Sequence, residues 1–230
     1  MGRILLKLSG ETLADQKRQY DDAVIGGIAS QVKSLVADGY GIGIVIGGGN
    51  YWRGRSSTNM DRTKADQIGM LATVMNCIYV SEAFRSAGMK TRIFTPFACS
   101  TFTELFSKDA ALAAMNDGQV VFFAGGTGHP YFSTDTGVVL RAIEIDADGI
   151  YLAKSIDGVY TADPKVDPSA VKLDEISINE VIEKNLQVVD MTASILARDN
   201  KMPMWVFDLT EEGSIIKTIS GKGSGTKITV

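Results

Sequence analysis

Three consecutive glycines, Gly47, Gly48 and Gly49, close a short apolar run at 42–46, and Arg53 follows four residues later. Residues without side chains at the end of a buried strand let the backbone turn sharply and present its N–H groups to a ligand. Backbone donors joined by a guanidinium fork suit an anion, and phosphate above all. The glycines alone would also suit a plain tight turn. The pattern recurs, however. Ser9-Gly10 follows a run at 3–8 that carries Lys7 near its end, and 125–135, Gly-Gly-Thr-Gly-His-Pro-Tyr-Phe-Ser-Thr-Asp, follows a run at 119–124. Several such loops, with Lys7 and Arg53 beside them, point to a substrate with several phosphates.

Other chemistries find little support. No G-x-x-x-x-G-K-[ST] is present, and Gly221-Lys-Gly-Ser-Gly225 lacks that spacing; no G-x-G-x-x-G follows a strand. A single histidine excludes His-rich metal sites, and neither Cys77 nor Cys99 has a partner pattern of a thiol nucleophile. The formal net charge of −4 argues against a nucleic-acid surface. Two cysteines are too few for a disulfide framework, which fits a reducing cytoplasm. Lys7 interrupts the first apolar run, so the N-terminus does not read as a secretory signal. Leu6 stands where a myristoylation pattern wants Ser or Thr. No stretch approaches the ~18 apolar residues of a membrane span.

The elements that must position these residues alternate. Runs at 3–8, 42–46, 91–95, 119–124, 150–153 and 204–208 read as strands, and the alternating segment 226–230 as a terminal one. Between them lie helical patterns: one capped by Asp21 or Asp22 with Ile25, Ile28, Val32, Leu35 and Val36 at helical spacing, and a long one opened by Asp66 and ended by Gly88. Further helices are expected at 108–116, at 135–145 behind a Thr134 cap, after the capping box Ser177-Ile-Asn-Glu180, at 192–199 and after Thr210. Residues 51–64 read as a polar, mobile loop, and Asp157-Gly158 as a tight turn. Strand–helix alternation predicts an α/β fold with a mostly parallel sheet and helices on both faces. In such a sheet the loops after the strands share one edge and converge.

Lys7-Leu-Ser-Gly-Glu11, Gly47-Gly-Gly-Asn50 with Arg53-Gly54, and Asp66-x-x-Gly-Met-Leu-Ala-Thr-Val-Met-Asn76 resemble the motifs of bacterial uridylate kinases, a branch of the amino acid kinase family. So do Gly126-Thr-Gly-x-Pro-x-Phe-x-Thr-Asp135, Asp157-Gly-Val-Tyr-x-Ala-Asp-Pro164 and Leu196-Ala-Arg-Asp199. The resemblance spans essentially the whole chain. It implies a three-layer αβα sandwich forming a single amino acid kinase domain over residues 1–230, and phosphoryl transfer from Mg²⁺·ATP to UMP to give UDP and ADP.

By matching motif positions, the resemblance implies that Lys7, Ser9, Gly10, Gly49 and Arg53 hold the ATP phosphates, that Leu8 also belongs to the ATP-binding set, and that Lys154, Tyr160 and Asp163 line the adenosine side. It implies that Gly48 faces the UMP phosphate, Asp66 the UMP ribose, and Thr127, Gly128, His129, Pro130, Tyr131, Phe132, Ser133 and Thr134 wrap the base and phosphate. Asp148 falls where the wider family keeps a carboxylate that orients phosphate-binding lysines, giving a catalytic set of Lys7, Arg53, Asp148 and Lys154. Magnesium is then held mainly by the nucleotide phosphates. The resemblance further implies a homohexamer, with GTP as activator and UTP as inhibitor. His129 departs from the pattern, since relatives commonly carry Asn there.

By residue type alone, Lys7 also reads as a snorkelling strand residue, Asp66 as a helix cap, Asp148 as a solvated strand-edge carboxylate, Tyr160 as core cover and Lys154 as a surface lysine. A kinase acting on a carboxylate or carbamate, and a non-catalytic nucleotide-binding or storage protein on the same fold, are the competing functions.

Overall fold

The computed structural model describes residues 2–14, 18–52, 59–164, 166–186 and 188–230. In chain order these form β1 (Arg3–Leu8), α1 (Asp22–Ala37), β2 (Gly41–Ile46), α2 (Arg62–Ser86), β3 (Thr91–Thr95), β4 (Glu104–Leu105), α3 (Lys108–Asn116), β5 (Val120–Phe123) and α4 (Thr134–Glu144). There follow β6 (Gly149–Lys154), β7 (Val159–Tyr160), β8 (Lys172–Leu173), β9 (Glu175–Ser177), α5 (Ile178–Glu183), α6 (Met191–Asp199), β10 (Met204–Asp208), α7 (Ser214–Ile219) and β11 (Thr226–Thr229).

The main sheet runs β4-β3-β5-β2-β1-β6-β10-β11-β9. Its strands are parallel from β4 to β10, and β11 lies antiparallel to β10 with β9 parallel to β11. Strands buried on both faces need no polar alternation, which is why β2, Gly-Ile-Gly-Ile-Val-Ile, is apolar or glycine throughout and buried at every position. Two core clusters cover the two faces. Ile4, Leu6 and Leu8 pack with Ile25, Ile28, Val32 and Phe84 from α1 and α2. Leu5 packs on the opposite side with Val138, Val139 and Ala142 of α4. Successive strand residues alternate faces, so Lys7 shares the α4 side with Leu5. The layers are therefore helix, sheet, helix.

The register fixes where the loops emerge. Leu8 pairs with Ile46 on one side and with Ala153 on the other, and Val45 pairs with Phe123. Residues following β1, β2, β5 and β6 accordingly leave the sheet along one edge.

Several helix starts differ from the sequence reading. α2 begins at Arg62, capped by Asp61, whose side chain accepts from the amide of Lys64; Asp66 lies one turn inside. α4 is capped by Ser133 rather than Thr134. Residues 62–64 belong to α2, and Arg53 lies outside the described residues. The Ser177–Glu180 capping box forms in full.

Candidate active site

Two cavities open along the C-terminal edge. The first, of about 340 Å³, is lined by Lys7, Ser9, Gly10, Gly47, Gly48, Gly49, Asp66, Gly125, Gly126 and part of the 127–135 loop, with Glu11, Trp52, Arg62, Gly69, Met70 and Thr73. The second, of about 490 Å³, is lined by Lys154, Gly158, Val159, Tyr160, Asp163, Leu186, Val188 and Val206 among others. Lys7 belongs to one and Lys154 to the other, at the ends of neighbouring strands.

Lys7 is 9% exposed, and its Nζ stands 3.2 Å from Asp135 Oδ1 in the first turn of α4. Burial holds the Lys154 ammonium below its usual range; Asp135 counters that shift and Lys7 adds to it. The Lys154 ammonium also donates to the carbonyl of Val188. A carboxylate is thus shared by two lysines and offsets part of the shift that burial imposes on Lys154.

Asp148 does not join them. It precedes β6, at the opposite edge, where its carboxylate accepts from the amide of Arg3 at 2.8 Å and its own amide donates to the Arg3 carbonyl at 2.7 Å. Six residues of strand separate it from Lys154, about 20 Å at ~3.3 Å per residue. The carboxylate expected beside the lysines is Asp135, which the sequence contained as the last letter of a motif without a role.

Helix α2 holds both glycine loops in place. Asn76 is fully buried; its amide nitrogen donates to the Gly47 carbonyl at 2.7 Å and to Asn50 Oδ1 at 2.8 Å. Its oxygen accepts from Tyr20 Oη at 2.9 Å and from Asn50 Nδ2 at 3.1 Å. One turn earlier, Thr73 Oγ1 accepts from the amide of Gly125 at 2.7 Å and donates to the Met70 carbonyl at 2.7 Å. A Cβ at Gly48 would fall 2.9 Å from Ala72 Cβ, so only glycine lets this loop lie against the helix.

Asp66 projects from α2 toward the 127–135 loop, where its Oδ2 accepts from the amide of Tyr131 at 2.8 Å. Both its oxygens also accept from Arg62 Nε at 2.9 Å, and the Arg62 guanidinium lies 5.4 Å from the Tyr131 ring centroid. Tyr131 has φ of 71°, a left-handed conformation uncommon for a bulky residue. Ser133 caps α4 through the amide of Thr136 at 3.1 Å and donates to the carboxylate of Asp190.

Of the residues expected around one nucleotide, Gly48, Asp66, Thr127, His129, Phe132, Ser133 and Thr134 line the first cavity, whereas Gly128, Pro130 and Tyr131 do not. Of those expected around the other, Lys7, Ser9, Gly10 and Gly49 line the first cavity, and Lys154, Tyr160 and Asp163 the second. Leu8 is wholly buried in the core and offers a ligand no side chain. Sequence reasoning missed Asp135, Arg62, Thr73 and Trp52. Arg62 was detectable as the residue four before Asp66 on one helix face. Burial pushes the Cys77 thiol up to about 12, away from nucleophilic use.

The arrangement can hold two anionic groups and neutralise charge between them. Comparison with known proteins gives the same direction. The amino acid kinase family model matches residues 2–208. The uridylate kinases of Bacteroides thetaiotaomicron and Phocaeicola vulgatus are each 46% identical, over 98% of this chain and 97% of those proteins. Among solved structures, the UMP kinase of Ureaplasma parvum superposes with a TM-score of 0.94 at 32% identity, over 100% of this chain and 99% of that one. The UMP kinase of Bacillus anthracis gives 0.94 at 37% identity, over 99% and 95%.

Proposed function

Given that the chain belongs to the amino acid kinase family, we propose that it transfers the γ-phosphoryl group of ATP to UMP, producing UDP and ADP. The observation that carries this is the Lys7–Asp135 pair lining the first cavity, with Lys154 of the second cavity within electrostatic reach of both. UMP occupies the first cavity, with its ribose toward Asp66. The ATP phosphates run over Ser9, Gly10 and Gly49, and the adenosine enters the second cavity beside Tyr160 and Asp163.

A UMP phosphate oxygen is already anionic near neutral pH, so no strong base is required. That oxygen forms a bond to the γ-phosphorus as the bond to the β,γ-bridging oxygen breaks and ADP leaves. The chain's task is to align two mutually repelling phosphates and to neutralise the charge spread over the transferring group. Lys7, aimed by Asp135, and the backbone donors of the glycine loops supply fixed positive potential for that purpose. Among the described residues, no three His, Cys, Asp or Glu side chains cluster as a cation cage. Following the family resemblance, magnesium would be held mainly by the nucleotide phosphates and would screen their charge.

We extend the proposal to assembly and control. The outer face of α2 exposes Ile68, Leu71, Met75 and Ile78, an apolar stripe that supports packing of copies into a hexamer. Activation by GTP and inhibition by UTP follow the family resemblance, as does a cytoplasmic setting. No helix of the described residues is long and apolar enough to cross a membrane.

The deciding experiment is a coupled ADP assay across UMP, CMP, dUMP, glutamate, aspartate and carbamate, with and without GTP. Turnover with UMP and not with the carboxylates or carbamate is the expected result. No ADP release from ATP plus UMP would return the chain to the storage-protein reading.

A further inference from the structure

The hairpin β7–β8 forms a two-stranded sheet apart from the main one, and such a ribbon is marginal by itself in water. Yet Tyr160 of β7 lines the second cavity, as do Asp163 and Pro164 just beyond it. The hairpin is held by the start of β11. Thr226 is fully buried; its Oγ1 accepts from the amide of Val159 at 2.7 Å and donates to the carbonyl of Leu173. One hydroxyl therefore stitches both hairpin strands. A Cβ on Gly158 would lie 2.6 Å from the same oxygen, so the preceding turn is seated directly on it.

The residues before Thr226 complete the attachment. Gly225 approaches β10 so closely that a Cβ there would fall 2.3 Å from the Val206 carbonyl, and Thr226 itself is the register partner of Val206, another wall residue of the cavity. Lys172 Nζ donates to the Ser224 carbonyl at 2.8 Å and stands 3.3 Å from Asp157 Oδ2. Within the glycine-rich run at 221–225, Gly225 thus serves backbone approach at this clamp. It lies beyond residue 208, where the family match ends.

We infer that Thr226 is a positioning residue for the adenosine side: its hydroxyl fixes the β7–β8 hairpin against β10, and with it the wall that ATP meets. The identity of the ligand rests on the phosphoryl-transfer reading above; the clamp does not.

The test compares Thr226→Val and Thr226→Ser, varying ATP and UMP separately, and follows amide exchange at Val159 in the nucleotide-free protein. Valine keeps the volume but leaves a buried amide without its acceptor. Val159 should exchange faster, KM for ATP should rise roughly tenfold, the scale expected when a buried donor loses its partner, and KM for UMP should hold. Serine should restore both the Val159 protection and the KM for ATP. Should Thr226→Val fail to fold, Lys172→Met decides in its place, with the same split at smaller size. An unchanged KM for ATP, equal rises in both KM values, or no rescue by serine would overturn the inference. If the wild-type protein turned over no UMP, the functional reading alone would fail. Val159 exchange and calorimetry with ATP would then decide the clamp: unaltered protection overturns it, while faster exchange with weaker ATP binding supports it.

Discussion

Lys7 and Asp135 meet at 3.2 Å although one ends a strand and the other opens a helix on a separate crossover. The contact exists because Lys7 shares a sheet face with Leu5, and α4 covers that face with Val138 and Val139. Packing of the apolar residues below the pair therefore sets the height at which the charges meet.

Lys7→Ala should lower kcat by about 10²-fold or more while KM for UMP moves little, because the ammonium's charge matters most when charge spreads over the transferring group. Steady-state kinetics check this, and near-normal turnover would remove Lys7 from the mechanism.

Asp135→Asn should lower kcat and shift the alkaline limb of the pH–rate profile to lower pH. The sign follows from Lys154, whose folded-state pKa is already depressed by burial and held up in part by Asp135. With the carboxylate gone the ammonium loses its proton at still lower pH, and activity that needs the charged form falls earlier as pH rises. A limb that stayed in place would separate Lys154 from the reaction. Asp148→Asn serves as the contrast, with kcat unchanged.

Thr73→Val should destabilise the protein by about 1–3 kcal/mol, since the buried amide of Gly125 loses its acceptor. KM for UMP should increase with it. Urea denaturation and kinetics read the two effects, and a stability change without a KM change would uncouple the 125–134 loop from binding.

Arg62→Met should weaken discrimination between UMP and dUMP, because Asp66 loses the partner that holds its carboxylate toward the cavity. The ratio of kcat/KM for the two substrates is the measurement; an unaltered ratio would leave the orientation of Asp66 to the Tyr131 amide alone.

The strands that matter for the site were readable because burial on both faces leaves unbroken apolar runs; β1, β3 and β10 have the expected bounds. The two-residue strands β4, β7 and β8 were missed, since two residues carry no periodicity. Helix starts slipped where capping residues are consecutive. Ser133, Thr134 and Asp135 can each cap, and only the structure assigns the role to Ser133, freeing Asp135 to face Lys7. At α2 the cap is Asp61, one turn before Asp66, so Asp66 is left inside the helix to pair with Arg62 and the Tyr131 amide. Asp148 was misassigned for a directional reason. It precedes its strand, and a parallel sheet presents its loops to ligands at the other end.

Thr73 and Asn76 lie on a single rod, three residues and so about 4.5 Å of rise apart, and each grips a different bend. The gap between the two anion cradles is thereby inherited from the pitch of a helix, a rigid ruler, and owes nothing to loop length. Any change that tilts this rod must carry both cradles together, keeping their mutual spacing while misaligning them against Lys7.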